Sequence, residues 1–142
     1  MNVANSLRQG ELNDFEEILD LLKKIAMHSN IHFKHGAALI HKDLFKKEIG
    51  LGFNKFIKEI TIRKDNVTQT HYKTIHAEVD ALCSYPNKKK IKGMDLIVIR
   101  VNKNAALKQS RPCNQCISKL NKLGIRKVFY SNEKGDICQI CT

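Results

Sequence analysis

The chain has 142 residues, 42% hydrophobic and 27% charged, which fits one domain with a real core and excludes a disordered or fibrous protein. No apolar run nears the roughly 20 residues of a membrane-spanning helix, and the opening "MNVANSLRQGELNDFEE" lacks a secretory pattern, so a soluble cytoplasmic protein without a membrane partner is expected. The formal charge of +11 is permissive for anionic partners, but 20 of the 25 basic residues are Lys, which argues against base-edge reading by Arg forks.

Residues 11–28 carry Leu12, Phe15, Leu19, Leu22 and Ala26 at three- and four-residue steps with acids in the first turns, predicting an amphipathic helix. "HGAALIH" (35–41) and "EIGLGF" (48–53) read as two short strands joined by a basic turn, a hairpin. Residues 54–74 read as polar and irregular, with "IKEITI" the one candidate strand. A helix opens near His76 and stops before Pro86. "MDLIVIRV" (94–101) is a nearly continuous apolar run, the mark of a strand covered on both faces. "RPCNQCISKLNKLG" (111–124) predicts a helix with Pro near its start and Gly after its end. "IRKVFYS" (125–131) is a strand, and "NEKG" turns into a last short strand, "DICQIC". The order α-β-β-α-β-α-β-β implies parallel central strands with helices packed on them and a hairpin at each end.

Two of these helices carry chemistry. One opens with "HAE" (76–78), the other with "PCNQC" (112–116), and their N-termini can lie side by side at one end of the sheet. Five cysteines are an odd number, and C-x-x-C spacing in a reducing compartment favours metal over a disulfide framework. Cys113 and Cys116 sit one helical turn apart, and His76 can supply a third ligand. A His/Cys/Cys set leaves the fourth tetrahedral position open, as a catalytic zinc requires. Glu78 is then free to face a zinc-bound water and carry its proton.

The pattern H-x-E…P-C-x-x-C is the signature of zinc deaminases, and the chain resembles the cytidine and deoxycytidylate deaminase superfamily. The resemblance covers about residues 31–141 through "FKHGAALI", "GLGFN", "HAEVDAL", "RPCNQC" and "GIRKVFYS". It implies a three-layer α/β/α fold with a mixed five-stranded sheet. The whole chain, 1–142, would be one deaminase domain, with a helical segment over 1–30 and the core over 31–141. It also implies one catalytic Zn2+ per chain on His76, Cys113 and Cys116. Glu78 would act as general acid and base while water replaces the amine of a cytosine or adenine ring. Phe33 matches a position that stacks on the base, Asn54 one that holds the ribose, and the backbone of Ala77 one that reads the base's polar edge. From the residues alone, Phe33 reads equally as core and Asn54 as a cap or turn.

The expected reaction is hydrolytic deamination of cytidine, deoxycytidine or dCMP to the uracil form. "ISKLNKLGIRKVFYS" after the cysteines resembles enzymes acting on small substrates more than the tRNA adenosine deaminases, whose second zinc cysteine precedes very small residues. "VFYS" leans toward deoxycytidylate relatives, and the short ending toward cytidine relatives. The alternative is an editing enzyme acting on single-stranded DNA or on RNA, tRNA included. Lysines 55, 58, 64, 88–90 and 92 could track a backbone, but only Phe53, Phe56 and Tyr85 interleave with them. A third reading is an inactive, zinc-stabilised binding module, against which Glu78 speaks. Resemblance also implies a homo-oligomer, dimer or tetramer. Cys138 and Cys141, with Cys83 nearby, raise a second zinc, but i and i+3 on a strand point to opposite faces. The five other histidines, His35 and His71 among them, read as surface or packing groups.

Overall fold

A computed structural model of the chain describes residues 9–41, 50–85 and 90–141. Helix α1 runs Gln9–Ala26, and strands β1 and β2 run Lys34–Ile40 and Gly50–Phe53. Strands β3 (Lys55–Lys64) and β4 (Val67–Ile75) precede helix α2 (Ala77–Ser84) and strand β5 (Asp95–Val101). The short β6 (Leu107–Lys108), helix α3 (Asn114–Lys122), β7 (Lys127–Ser131) and β8 (Ile137–Cys141) complete the order. The basic turn expected between the first two strands, and the end of the segment before Lys90, lie outside the described residues.

The main sheet follows β2-β1-β5-β7-β8, with β6 added beside β5. This is the mixed five-strand path expected, with hairpins β1–β2 and β7–β8 at its ends. Among the described strands only β5 and β7 are adjacent and parallel. β2 runs in the direction of β5, but β1 lies between them, antiparallel to both. The hairpin sets β1 in that slot, so the crossover from β2 through α2 must pass over it, and α2 packs on both strands.

Alternation along the strands divides two cores. Ala37, Leu39, Leu96, Val98 and Val128 join Ala81 of α2 and Leu120 of α3 on one face. Ala38, Ile40, Ile97, Ile99 and Phe129 meet Phe15, Leu22 and Ala26 of α1 on the other. β5 is therefore apolar at successive positions because it is covered twice. The predicted stripe of α1 faces this second core, and the side chain of Leu12 lies outside the described part.

Residues 54–74 depart from the expectation of an irregular segment. β3 and β4 form a separate two-stranded ribbon of antiparallel pairs from Lys55↔Ile75 to Lys64↔Val67, with a register shift between Phe56 and Lys58. Its tip is the two-residue turn Asp65–Asn66, with φ of 53° and 62°. Two successive positive φ values are what a tight hairpin turn needs, and Asp and Asn tolerate them.

Candidate active site

β2 carries glycine at positions 50 and 52 because α2 lies directly on it. A Cβ on Gly52 would stand 2.3 Å from the Ala81 nitrogen and 2.6 Å from the Ala77 oxygen. Asp80 fastens the same helix sideways: its carboxylate accepts the Phe53 N–H at 3.1 Å and meets Lys55 Nζ at 3.0 Å. Gly36 pairs with Phe53 on one side and Ile99 on the other, so β2 and β5 end at one edge of the sheet. His76, Ala77 and Glu78 are held at that edge. His76 is the exposed N-cap of α2, with extended backbone and no capping bond from its side chain. Ala77 is buried and Glu78 half-buried.

The loop from β5 to α3 is anchored by a buried hydroxyl pair. Ser110 Oγ lies 2.9 Å from Ser131 Oγ and donates to the Val98 carbonyl at 2.8 Å. Ser131 Oγ donates to the Lys108 carbonyl at 2.6 Å. Pro112 is buried, and Cys113 becomes the N-cap of α3, its Sγ accepting the Cys116 N–H at 3.3 Å. The two sulfurs are 3.0 Å apart, within hydrogen-bonding distance. Because Cys113 Sγ also accepts an N–H, it is the better thiolate. Its pKa is lowered, first by the Cys116 thiol and then by that amide. The pKa of Cys116 is raised, chiefly by the bond to Cys113, then by burial, with the charges of Cys113 and Glu78 adding.

A cavity of about 320 Å³ opens between the start of β1, the end of β2 and the start of α2, lined by Phe33, His35, Asn54, His76, Ala77 and Glu78 among others, with neither cysteine of α3 in its lining. Phe33 is 52% exposed, so it is not core. Asn54 is nearly buried and its amide is already engaged: Oδ1 accepts the His35 N–H at 2.9 Å and Nδ2 donates to the Phe33 carbonyl at 2.6 Å. It clamps the segment carrying Phe33 and keeps a second lone pair on Oδ1 for a ligand.

His35 lines the cavity although the sequence did not single it out as a site residue, and Arg100 lies behind it, 4.3 Å from the Phe33 ring centroid. They are register partners on β1 and β5. His35 Nδ1 donates to the Phe33 carbonyl at 3.1 Å, which leaves Nε2 as the acceptor of the neutral ring. Burial lowers its pKa, with Arg100 and His76 adding and the Phe33 carbonyl and Glu78 opposing, so the ring is neutral at pH 7. Of the lysines expected beside the site, Lys55 is tied to Asp80 and lies 4.5 Å from the Phe53 ring centroid, whereas 88 and 89 lie outside the described residues.

Two sulfurs on one turn and a histidine at another helix start match zinc in donor chemistry. Their spacing is less complete. Among the described residues no three His, Cys, Asp or Glu side chains stand together as a metal-holding group. Cys138 is half-buried, with Asn132 Nδ2 3.5 Å from its sulfur, and the side chain of Cys141 lies outside the described part.

This doubly covered mixed sheet, with chemistry gathered at two helix starts, defines an α/β protein of the deaminase type. The family described as cytidine and deoxycytidylate deaminase zinc-binding region matches residues 12–132, and the chain belongs to it. Among solved structures, it resembles cytidine deaminase from Burkholderia pseudomallei at 19% identity, covering 89% of this chain and 91% of that one, with a TM-score of 0.57. It also resembles apo dCMP deaminase from the cyanophage S-TIM5 at 18% identity, covering 89% and 86%, with a TM-score of 0.52. No curated protein matches the chain. Among the described residues no helix is long and apolar enough to cross a membrane.

Proposed function

We propose that the chain is one catalytic domain that hydrolytically deaminates a cytosine-bearing nucleoside or nucleotide to its uracil form, releasing ammonia. The observation that carries this is the cavity, which Glu78 lines beside His76, Ala77 and Asn54. His76, Cys113 and Cys116 would hold zinc, which supplies a Lewis acid that brings a coordinated water toward neutral pKa.

The chain's own residues supply positioning and proton transfer. Phe33, held from below by Asn54, offers a ring face to the base. The start of α2 offers backbone groups at Ala77 to the polar edge of the pyrimidine. Glu78 takes the proton of the attacking water on its carboxylate and delivers it to the ring nitrogen. It then takes the second proton, from the hydroxyl now on the ring carbon, and gives it to the departing amine, so one group serves as base and acid in turn. The exocyclic amine leaves as ammonia and the carbonyl of uracil remains.

The test is an assay for uracil with cytidine, deoxycytidine, their monophosphates, and single-stranded DNA and RNA. Turnover of at least one monomer by protein carrying one zinc per chain, counted by plasma mass spectrometry, is the expected result. Turnover of polymers alone would assign the site to editing, and zinc without turnover would make the domain a binding module.

A further inference from the structure

We propose that the β3–β4 ribbon is a docking arm for double-stranded DNA, which it holds by the phosphates without reading the bases. The inference stands apart from the deaminase reading, because bases inside a duplex stay stacked and out of reach of the pocket. DNA is here a partner and not the substrate.

The ribbon pairs only with itself and, among the described residues, joins neither core. Every residue from 61 to 70 is exposed. Such a ribbon alone in water is marginally stable, so a surface that covers it stabilises it. Between Lys55 and Ile75 it carries five basic residues and two acids. Lys55 is taken by Asp80, whereas Arg63 and Lys64 make no ion pair among the described residues.

The register sorts the charges. Successive rungs alternate in face, so 58/73, 60/71, 62/69 and 64/67 share one face. That face holds Lys58, Lys64 and Lys73 and no acid, since Glu59 falls on the other face and Asp65 in the turn. Lys58 is paired directly with Lys73. Like charges across a rung are destabilising, and an anion lying over both reverses the sign. From this rung to Lys64↔Val67 the ribbon runs about 20 Å, or about six base steps of a duplex. Near the tip, Ile62, Lys64, Val67 and Gln69 line a shallow hollow of about 330 Å³.

The chemistry selects the partner. A second copy of the ribbon would set lysine against lysine. An anionic membrane would meet the turn Asp65–Asn66 first, with an acid at the point of entry. Single strands are held on aromatic platforms, and residues 61–70 include no aromatic. The major groove of B-form DNA, about 12 Å wide, admits a two-stranded ribbon, whereas that of an RNA duplex is too narrow. Lysine meets phosphate as a point charge and lacks the fork that reads bases.

Fluorescence anisotropy of the zinc-loaded full chain with a labelled mixed-sequence DNA duplex of about 20 base pairs tests this. Binding is expected to weaken about 40-fold between about 50 and 200 mM salt, the dependence of three phosphate contacts. Lys58→Gln/Lys64→Gln/Lys73→Gln is expected to lose about 20-fold or more at low salt, and Lys64→Gln alone about fivefold. Turnover of the cytosine substrate is expected to stay unchanged in both. Lys24→Gln/Lys103→Gln/Lys134→Gln removes the same charge from exposed positions on the body and is expected to lose less than about threefold. Melting temperature checks the fold of each variant. Equal losses in the two triple variants would make the attraction diffuse and overturn the proposal. So would no binding at low salt, tighter binding of single-stranded DNA or of an RNA duplex of the same length, or ribbon-dependent binding of phosphatidylserine vesicles without DNA binding. Those results leave the deaminase reading standing, and ribbon-dependent DNA binding without any turnover would do the reverse.

Discussion

Glu78→Gln is expected to lower kcat/KM for the cytosine substrate by about 1,000-fold, within the range that a positioned general acid–base contributes. Glutamine keeps the shape and loses the ability to accept a proton, so both transfers fail together. Glu78 is half-buried at the start of α2 and no fold contact depends on its charge among the hydrogen bonds and ion pairs described above. Zinc content and melting temperature are therefore expected to match the parent protein, as they are for Glu78→Ala. A loss under tenfold, with zinc retained, would reject Glu78 as the proton carrier.

Gly52→Ala carries the second large effect, reached through packing. The added methyl would meet the Ala81 nitrogen at 2.3 Å, the Ala77 oxygen at 2.6 Å and Asp80 Cβ at 2.7 Å. Two of these are backbone atoms of α2, so relief requires the helix to move, and His76 and Glu78 move with it. Overpacking of this kind costs about 2–3 kcal/mol, a fall in melting temperature on the order of 8 °C, together with a loss of turnover. Gly93→Ala is the control. Its φ of 86° makes it strained, but nothing stands within 4 Å of the added atom and no site element is displaced. Gly93→Ala should lower stability without changing KM, whereas Gly52→Ala with unaltered kinetics would show that α2 does not rest on β2 as described.

What the sequence disclosed, and what it withheld, follows from chemical distance. "HAE" and "PCNQC" were legible because each places its functional groups within one turn of a helix start, where spacing alone fixes which side chains share a face. The strand run "MDLIVIRV" was legible for a similar reason, since burial on both faces leaves an unbroken apolar stretch. Of the β3–β4 ribbon only the strand in "IKEITI", within β3, was legible, because among the described residues the ribbon joins neither core and so shows no apolar side to read. Its signal was the dipeptide Asp65-Asn66, a hairpin turn between two runs rich in β-branched residues. His35 and Arg100 carried no such signal, because they become neighbours only when β1 inserts beside β5. The insertion of β1 between β2 and β5 was equally hidden, as element order alone reads as an unbroken parallel run.

The ribbon has a consequence for the contour of the chain. It leaves the body one residue after Asn54 and returns one residue before His76, and its first rung pairs Lys55 with Ile75. Paired residues on neighbouring strands lie about 5 Å apart, so the whole excursion comes back almost to its point of departure. Two walls of the cavity are thus set by that single rung, whatever the length of chain beyond it. Joining Phe56 to Thr74 through an Asn-Gly turn should therefore leave the KM for the cytosine substrate within about threefold of the parent. A larger change, measured by steady-state kinetics in a folded variant, would mean that the distal ribbon takes part in binding.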